Sequence, residues 1–183
     1  VQITQGDIRN LAAVGRWVGQ KNAGLILHLA AQVAVTSSVA QPLDDFEINA
    51  LGTVNLLESL RKLQRPPLLI YASTNKVYGG MEEITVGRRG DRYEFSHQPN
   101  GISEDRPLDF HSPYGCSKGS ADQYVRDYQR IYGLPTVVFR QSCIYGPHQH
   151  GNEDQGWVAH FMKAALQGSP LTLYGDGRQI RDI

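Results

Sequence analysis

Three short, unbroken apolar runs divide the chain: Gly24 to Ala31, Pro67 to Ala72 and Pro135 to Phe139. Runs of this length, with no polar alternation, suit strands covered on both faces, as in a parallel sheet flanked by helices. The stretches between them carry helical spacing. Ile8 to Lys21 reads as one helix. Pro42 to Leu63 reads as a second, with Phe46, Leu51, Val54, Leu57 and Leu60 on its apolar stripe. Ser112 to Tyr132 reads as a third, with a Ser-Pro start and Gly133 just past its end. Strand–helix alternation of this kind predicts an α/β fold built on a doubly wound, Rossmann-like parallel sheet. A short strand before Gly6-Asp7, a helix from Gln155 to Leu166 and a strand from Leu171 to Tyr174 complete the expected elements. The segment from Gly79 to Glu104 breaks the rhythm. It is polar and rich in Gly and charge, and it reads as an inserted loop or small hairpin near the carboxyl edge of the sheet.

Charge and composition narrow the function classes. The chain of 183 residues has 18 Lys plus Arg against 18 Asp plus Glu, so it lacks the positive surplus that phosphate backbones demand, and no nucleic-acid partner is expected. Apolar residues are 40% and charged residues 20%, a globular balance. No window approaches the roughly 20 apolar residues of a membrane span. Cys116 and Cys143 make no disulfide framework and have no metal-pair spacing. These features predict a reduced, cytoplasmic chain with no metal site and no membrane partner. Val1-Gln2-Ile3-Thr4 carries no initiator Met, and Arg181-Asp182-Ile183 falls inside a strand-like stretch. The expectation is an internal segment of a longer protein, with an incomplete sheet.

The sharpest chemical signal is Tyr114 and Lys118, four residues apart at the head of a helix and therefore on one face. A free phenol titrates near pH 10, and an adjacent ammonium favours the phenolate. Bringing it towards neutrality takes roughly 4 kcal/mol from its surroundings. The plain alternative is a helix surface with an ordinary Tyr and a solvated Lys. Ser73-Thr74 follows the second apolar run, at a strand's carboxyl end, where open parallel sheets bind ligands. Those hydroxyls either meet a ligand or merely cap the strand exit. Asp7, after the first short strand, suits a helix cap. His28 lies within an apolar run and reads as a satisfied core histidine. The small residues after it, Leu29-Ala30-Ala31-Gln32, allow a ligand to approach the backbone. Asn49, with Gly52-Thr53, sits inside the long helix pattern.

Taken together and in this order, the motifs resemble the extended short-chain dehydrogenase/reductase family of NAD-dependent epimerases and dehydratases. The resemblance rests on Asp7-Ile8, His28 to Ala31, Asn49 with Gly52-Thr53, Thr74 with Val77-Tyr78-Gly79, Tyr114 with Lys118, Arg140 with Tyr145-Gly146-Pro147, and Arg181-Asp182. It implies NAD as cofactor, a nucleotide-sugar substrate and a homo-oligomer in the complete protein. It also implies Thr74, Tyr114 and Lys118 as the catalytic set. Cofactor contacts are implied at Asp7, Ile8, Leu29, Ala30, Ala31, Gln32, Asn49, Ser73, Tyr114 and Lys118. Substrate contacts are implied at Thr74, Asn75, Cys143 and Arg181. Residues 1–146 then form a partial NAD-binding domain, and 147–183 begin a small substrate region. Dehydratases of the family carry an acid–base Asp-Glu pair where this chain has Asn75-Lys76, and neither residue offers a carboxyl, so the resemblance favours an epimerase. Cys143 stands where the family often has Asn, and it is a poorer hydrogen-bonding partner. The alternatives are a dehydratase or an epimerase of another UDP-, GDP- or dTDP-sugar, or a non-catalytic dinucleotide sensor on the same fold.

The family's Gly-rich pyrophosphate turn does not occur within the 183 residues. That turn and the helix N-terminus behind it hold the pyrophosphate. The 183-residue chain by itself should therefore bind NAD weakly or not at all; titration calorimetry finding micromolar affinity would overturn this.

Overall fold

The computed structural model describes residues 2–176 and 178–180. Helix α1 (Leu11–Gln20) starts at Asn10, whose side-chain oxygen accepts from the Ala13 N–H at 3.0 Å. The pattern placed the start at Ile8 with Asp7 as cap, but the Asp7 carboxylate is occupied by the Arg9 backbone and guanidinium. No strand precedes Asp7 among the described residues. A strand exists only where a neighbouring strand pairs with it, and residues 2–6 have no such neighbour.

Strands β1 (Leu25–His28), β2 (Leu68–Thr74) and β5 (Thr136–Gln141) form a parallel sheet in the order β1-β2-β5. The pairing sets Leu25 beside Leu68, His28 beside Tyr71, and Tyr71 beside Val138. It continues past both apolar runs, so that Ser73 pairs with Arg140 and Thr74 with Gln141. Residues that apolarity alone would leave in a loop thus become the last rungs of the sheet.

The crossover from β1 to β2 passes through α2 (Val35–Ala40), α3 (Pro42–Phe46), a π turn (Glu47–Leu51) and α4 (Gly52–Leu60). The single helix expected from Pro42 is thus three helical pieces with unbroken right-handed backbone. A π turn adds one residue to the helical ring and rotates the residues after it, a device frequent at functional sites. Here it turns Asn49 and Ala50 inward. The crossover from β2 to β5 uses a 3-10 turn (Asn75–Tyr78) and α5 (Ser112–Tyr132). Gly133 closes α5 in the left-handed conformation, φ +67°, as a helix C-terminus favours.

One cluster forms the core of this unit. Val14 and Val18 of α1, Leu56, Leu57 and Leu60 of α4, and Ala121, Val125 and Tyr128 of α5 close over Ile26, Leu69 and Tyr71. Among the described residues of this unit, the helices cover one face of the strands. Leu25 is 49% exposed and Leu27 57%, and Leu68, Val137 and Phe139 on the same face are exposed too. The unbroken apolar runs record both faces of each strand, and the described helices of this unit pack on one of them.

The structure divides into two compact units, Val1–Val77 with Phe110–Gln141, and Tyr78–Asp109 with Ser142–Ile183. The second contains the antiparallel hairpin β3 (Val86–Arg89) and β4 (Arg92–Phe95), turned at Gly90-Asp91, and α6 (Trp157–Gln167). The expected strand at Leu171–Tyr174 does not form. These residues have no strand paired to them among the described residues, and Leu173 and Tyr174 are exposed. No helix among the described residues is long and apolar enough to cross a membrane.

Gly52 sits where Ile8 packs against the start of α4, and a Cβ there would lie 2.6 Å from Ile8 Cγ2. Ile8 cannot easily withdraw, because the Asn55 side chain holds the Ile8 and Arg9 carbonyls at 3.1 and 3.0 Å. Overpacking costs about 1–3 kcal/mol and outweighs the roughly 1 kcal/mol that alanine gains in a helix. Gly52→Ala should lower urea stability by about 1 kcal/mol. Adding Ile8→Ala should return much of that loss relative to Ile8→Ala alone.

Candidate active site

Helix α5 opens on Ser112 and Pro113, and Ser112 has φ +64°, a left-handed conformation that costs a non-Gly residue energy. The Ser112 hydroxyl accepts from the Gly115 N–H at 3.2 Å. This entry presents Tyr114 in the first turn and Lys118 one turn later, over the carboxyl end of β2. The Thr74 side chain acts on the Tyr114 phenol and favours its ionised form. Lys118 is buried; its Nζ donates to the Ala72 carbonyl at 2.6 Å and stands 4.3 Å from the centre of the Tyr71 ring. Thr74, Tyr114 and Lys118, far apart in the chain or a helical turn from one another, therefore meet at one end of one sheet.

A buried carboxylate fixes these elements to one another. Asp122, one turn beyond Lys118, is 0% exposed. Arg140 of β5 grips it through Nε at 2.9 Å and a terminal nitrogen at 3.0 Å, and the Ser73 hydroxyl donates to it at 2.7 Å. Gln123 adds a fourth hydrogen bond at 2.8 Å. Two-point guanidinium–carboxylate geometry with further donors is the arrangement that lets a buried ion pair persist. Ser73 is thus committed to Asp122.

The loop after β1 is held by Asn49. Its side-chain oxygen accepts from the Gln32 N–H at 2.9 Å and its nitrogen donates to the Gln32 carbonyl at 3.0 Å. Leu29 and Ala30 are exposed and Ala31 is half-buried, so this stretch of backbone stays open at the same sheet end. Asn75 follows in the 3-10 turn, half-buried. Asp7 is exposed and ion-paired with Arg9, while Ile8 packs on Gly52. Cys143 belongs to the other unit, and Arg181 lies outside the described residues. Among the described residues no group of His, Cys, Asp and Glu is placed to hold a metal.

Burial governs the protonation states. It pushes the Tyr114 phenol up; the Thr74 hydroxyl pulls it back, and the Asp45 carboxylate raises it further. The expected lowering by Lys118 does not dominate, because that ammonium makes its close contacts with the Ala72 carbonyl and the Tyr71 ring. Desolvation lowers Lys118 to about 8, against the pull of Asp122 and Asp45, so at neutral pH it is still mostly an ammonium. His28 is buried as the core residue its apolar surroundings indicated. Thr53 gives its hydroxyl hydrogen to the Asn49 carbonyl at 2.6 Å, so its oxygen accepts from His28 Nε2 at 2.9 Å. That assigns the ring hydrogen to Nε2.

Two buried residues beside this site, Asp45 and Ser117, whose side chains hydrogen-bond to each other, carried no legible signal. Asp45 reads in sequence as an ordinary acid in a helix's first turn, and Ser117 as a small helix residue. The signal available for Asp122 was its spacing of four from Lys118, which puts both on one helix face.

Desolvation and the Lys118 charge lower His28 to about 4. The unfolded chain takes up a proton there from about pH 6.5, the folded chain only near 4, so this contribution to stability falls as pH drops through that window. The full effect is about 3 kcal/mol. Urea unfolding from about pH 7 to about 4.5 should show that slope, and His28→Leu should flatten it.

A model of the NAD dependent epimerase/dehydratase family matches residues 1–183. CDP-paratose 2-epimerase of Salmonella typhi is 48% identical over 187 residues, covering 100% of this chain and 55% of that protein. A dTDP-glucose 4,6-dehydratase of Neisseria meningitidis serogroup B is 34% identical, over 97% of this chain and 48% of its own. The solved structure of Thermus thermophilus UDP-glucose 4-epimerase in complex with NAD superimposes with a TM-score of 0.74 at 34% identity, over 92% of this chain and 49% of that one. The chain spans about half the length of the curated relatives it matches.

Proposed function

The chain belongs to the NAD-dependent epimerase/dehydratase family, and from that premise we propose that the full-length protein is a nucleotide-sugar epimerase that inverts carbon 2 of CDP-paratose. The observation that carries the chemistry is the buried Lys118 ammonium, one helical turn from Tyr114 and held on the Ala72 carbonyl at the carboxyl end of β2, two residues before Thr74 in the same strand. The likeness to the Salmonella typhi enzyme at 48% identity supports the substrate. Asn75-Lys76 supports epimerisation over loss of water, since neither side chain supplies the carboxyl pair that a dehydratase needs.

The residues present fit a dinucleotide. The backbone from Leu29 to Ala31 is open, Asn49 braces its end at Gln32, and Lys118 brings a buried cation to the same edge. In this reading Leu29 to Gln32, Ser73, Tyr114 and Lys118 line the cofactor side, with Asp7 and Ile8 at the head of α1. Ser73 serves from within its bond to Asp122. NAD, when bound, supplies a hydride acceptor and donor together with a positively charged ring.

A C–H beside a hydroxyl is too weak an acid for direct deprotonation, so inversion proceeds through a ketone at carbon 2. Tyr114 is the proton carrier at the carbon-2 oxygen: it takes the hydroxyl proton as the ketone forms and returns it once the opposite face has been reduced. Thr74 hydrogen-bonds the same oxygen and fixes its place beside the phenol. Lys118 supplies the chain's own positive charge for a phenolate that burial otherwise disfavours. Asn75 and Cys143 are assigned to the sugar nucleotide. Arg181 is assigned to the diphosphate, which a guanidinium grips in two-point fashion.

In the full-length protein, Tyr114→Phe should lower kcat by a factor on the order of a thousand or more while bound NAD is retained. NMR of the product from a panel of CDP-, UDP-, GDP- and dTDP-sugars tests the substrate. Unchanged turnover in that variant, or turnover confined to a UDP- or dTDP-sugar, would overturn the corresponding half of the proposal.

A further inference from the structure

Asp45 is a carboxylate that the proposed chemistry does not use. It is 1% exposed and lies on α3, one turn before Asn49, where α3 packs against α5. The Ser117 hydroxyl donates to one of its oxygens at 2.5 Å, and Asn49 Nδ2 donates to the other at 3.1 Å. Asn49 Nδ2 also lies 3.1 Å from Ser117 Oγ, so the three side chains close a ring. Ser117 is the residue between the turn bearing Tyr114 and Lys118 itself. Asn49 is the residue that braces the loop at Gln32.

Neither donor carries a charge, and burying a carboxylate on neutral partners is costly for a fold that gains nothing else from it. The charges around it locate its effect. On its own helix Asp44 pairs with Arg9, and on the π turn Glu47 faces the same Arg9. Helix α2 presents no charged side chain. Helix α5 presents Tyr114 and Lys118, with Asp122 one turn further. Beyond Lys118 stand His28 on β1 and Tyr71 on β2.

We propose that Asp45 is a positioning residue of the Thr74–Tyr114–Lys118 site: through Ser117 and Asn49 its carboxylate locks the first turn of α5 to the loop after β1, with its charge buried beside the turn that bears Tyr114 and Lys118. The kinetic half of this inference rests on the epimerase reading; the electrostatic half does not. Burial pushes the Asp45 carboxyl up and the neighbouring Asp44 charge adds to that, while the Ser117 hydroxyl and the Lys118 ammonium oppose them. Its negative charge in turn raises both Tyr114 and Lys118. Removing the charge should therefore lower both groups together, a response that a purely mechanical strut does not produce.

The test uses the full-length protein with side-chain nitrogen NMR of its lysines, Lys118 being assigned by the signal lost in Lys118→Arg. In the near-isosteric Asp45→Asn, the Lys118 titration midpoint, about 8 in the parent, should fall by about half a pH unit or more. Both limbs of the kcat–pH profile should move to lower pH with it. Ser117→Ala keeps the charge and cuts the link; there kcat should fall several-fold with KM held within about twofold and the limbs in place. A Lys118 midpoint that does not move in Asp45→Asn, or an unaltered kcat in Ser117→Ala, overturns the proposal. If the parent turns over no CDP-sugar but the Lys118 midpoint still moves, the epimerase reading fails and the role of Asp45 stands.

Discussion

The site depends on the bidentate hold of Arg140 on the Asp122 carboxylate. Asp122 comes from α5, Arg140 from β5, and Ser73, the third member, from the last rungs of β2. A charge buried this deeply is tolerable only when all its acceptor positions are filled, so the three elements have one arrangement in which the energy closes. That arrangement places Lys118 one turn from Asp122 and Thr74 one residue from Ser73. The chemistry-bearing side chains thus inherit their positions from a structural ion pair beside them.

A second constraint is desolvation. Tyr114, Lys118 and His28 are each pushed towards their neutral forms by burial, and each is opposed or helped by the charges around it. The phenol is therefore held protonated in the chain alone. The same reasoning explains why Lys118 is kept in the interior on a carbonyl and an aromatic face, a placement with no merit for stability alone.

The π turn links the two halves of the site. A regular helix from Pro42 would carry Asn49 round by a different angle. The extra residue in the ring turns it towards Gln32 and Ser117, and Thr53 one turn later meets both the Asn49 carbonyl and His28. The loop after β1, the crossover helix and α5 are then coupled through one amide side chain. Its hydrogen bonds also reach Asp45, so the buried carboxylate is tied to the loop after β1 and to the Tyr114 turn at once.

The strand–helix alternation, the helix from Ser112 to Tyr132 and the positions of β1, β2 and β5 were legible in the residues themselves, because apolar run length and turn chemistry are local properties. So was the placement of Tyr114 and Lys118 one turn apart on one face of a helix, since a spacing of four has one geometric meaning there. What local pattern cannot hold is partnership. Leu171–Tyr174 has the composition of a strand and no strand beside it, and Asp7 has the chemistry of a cap but is claimed by Arg9. Asp45 and Asp44 are identical neighbours in sequence; one is buried on Ser117 and the other is paired with Arg9 at the surface. The chain by itself determined which segments become strands and helices and which face carries the phenol and the amine. Only the tertiary structure decided which charges are buried and what they hold, because burial and hydrogen bonding between distant residues exist only once the sheet and helices have closed on each other.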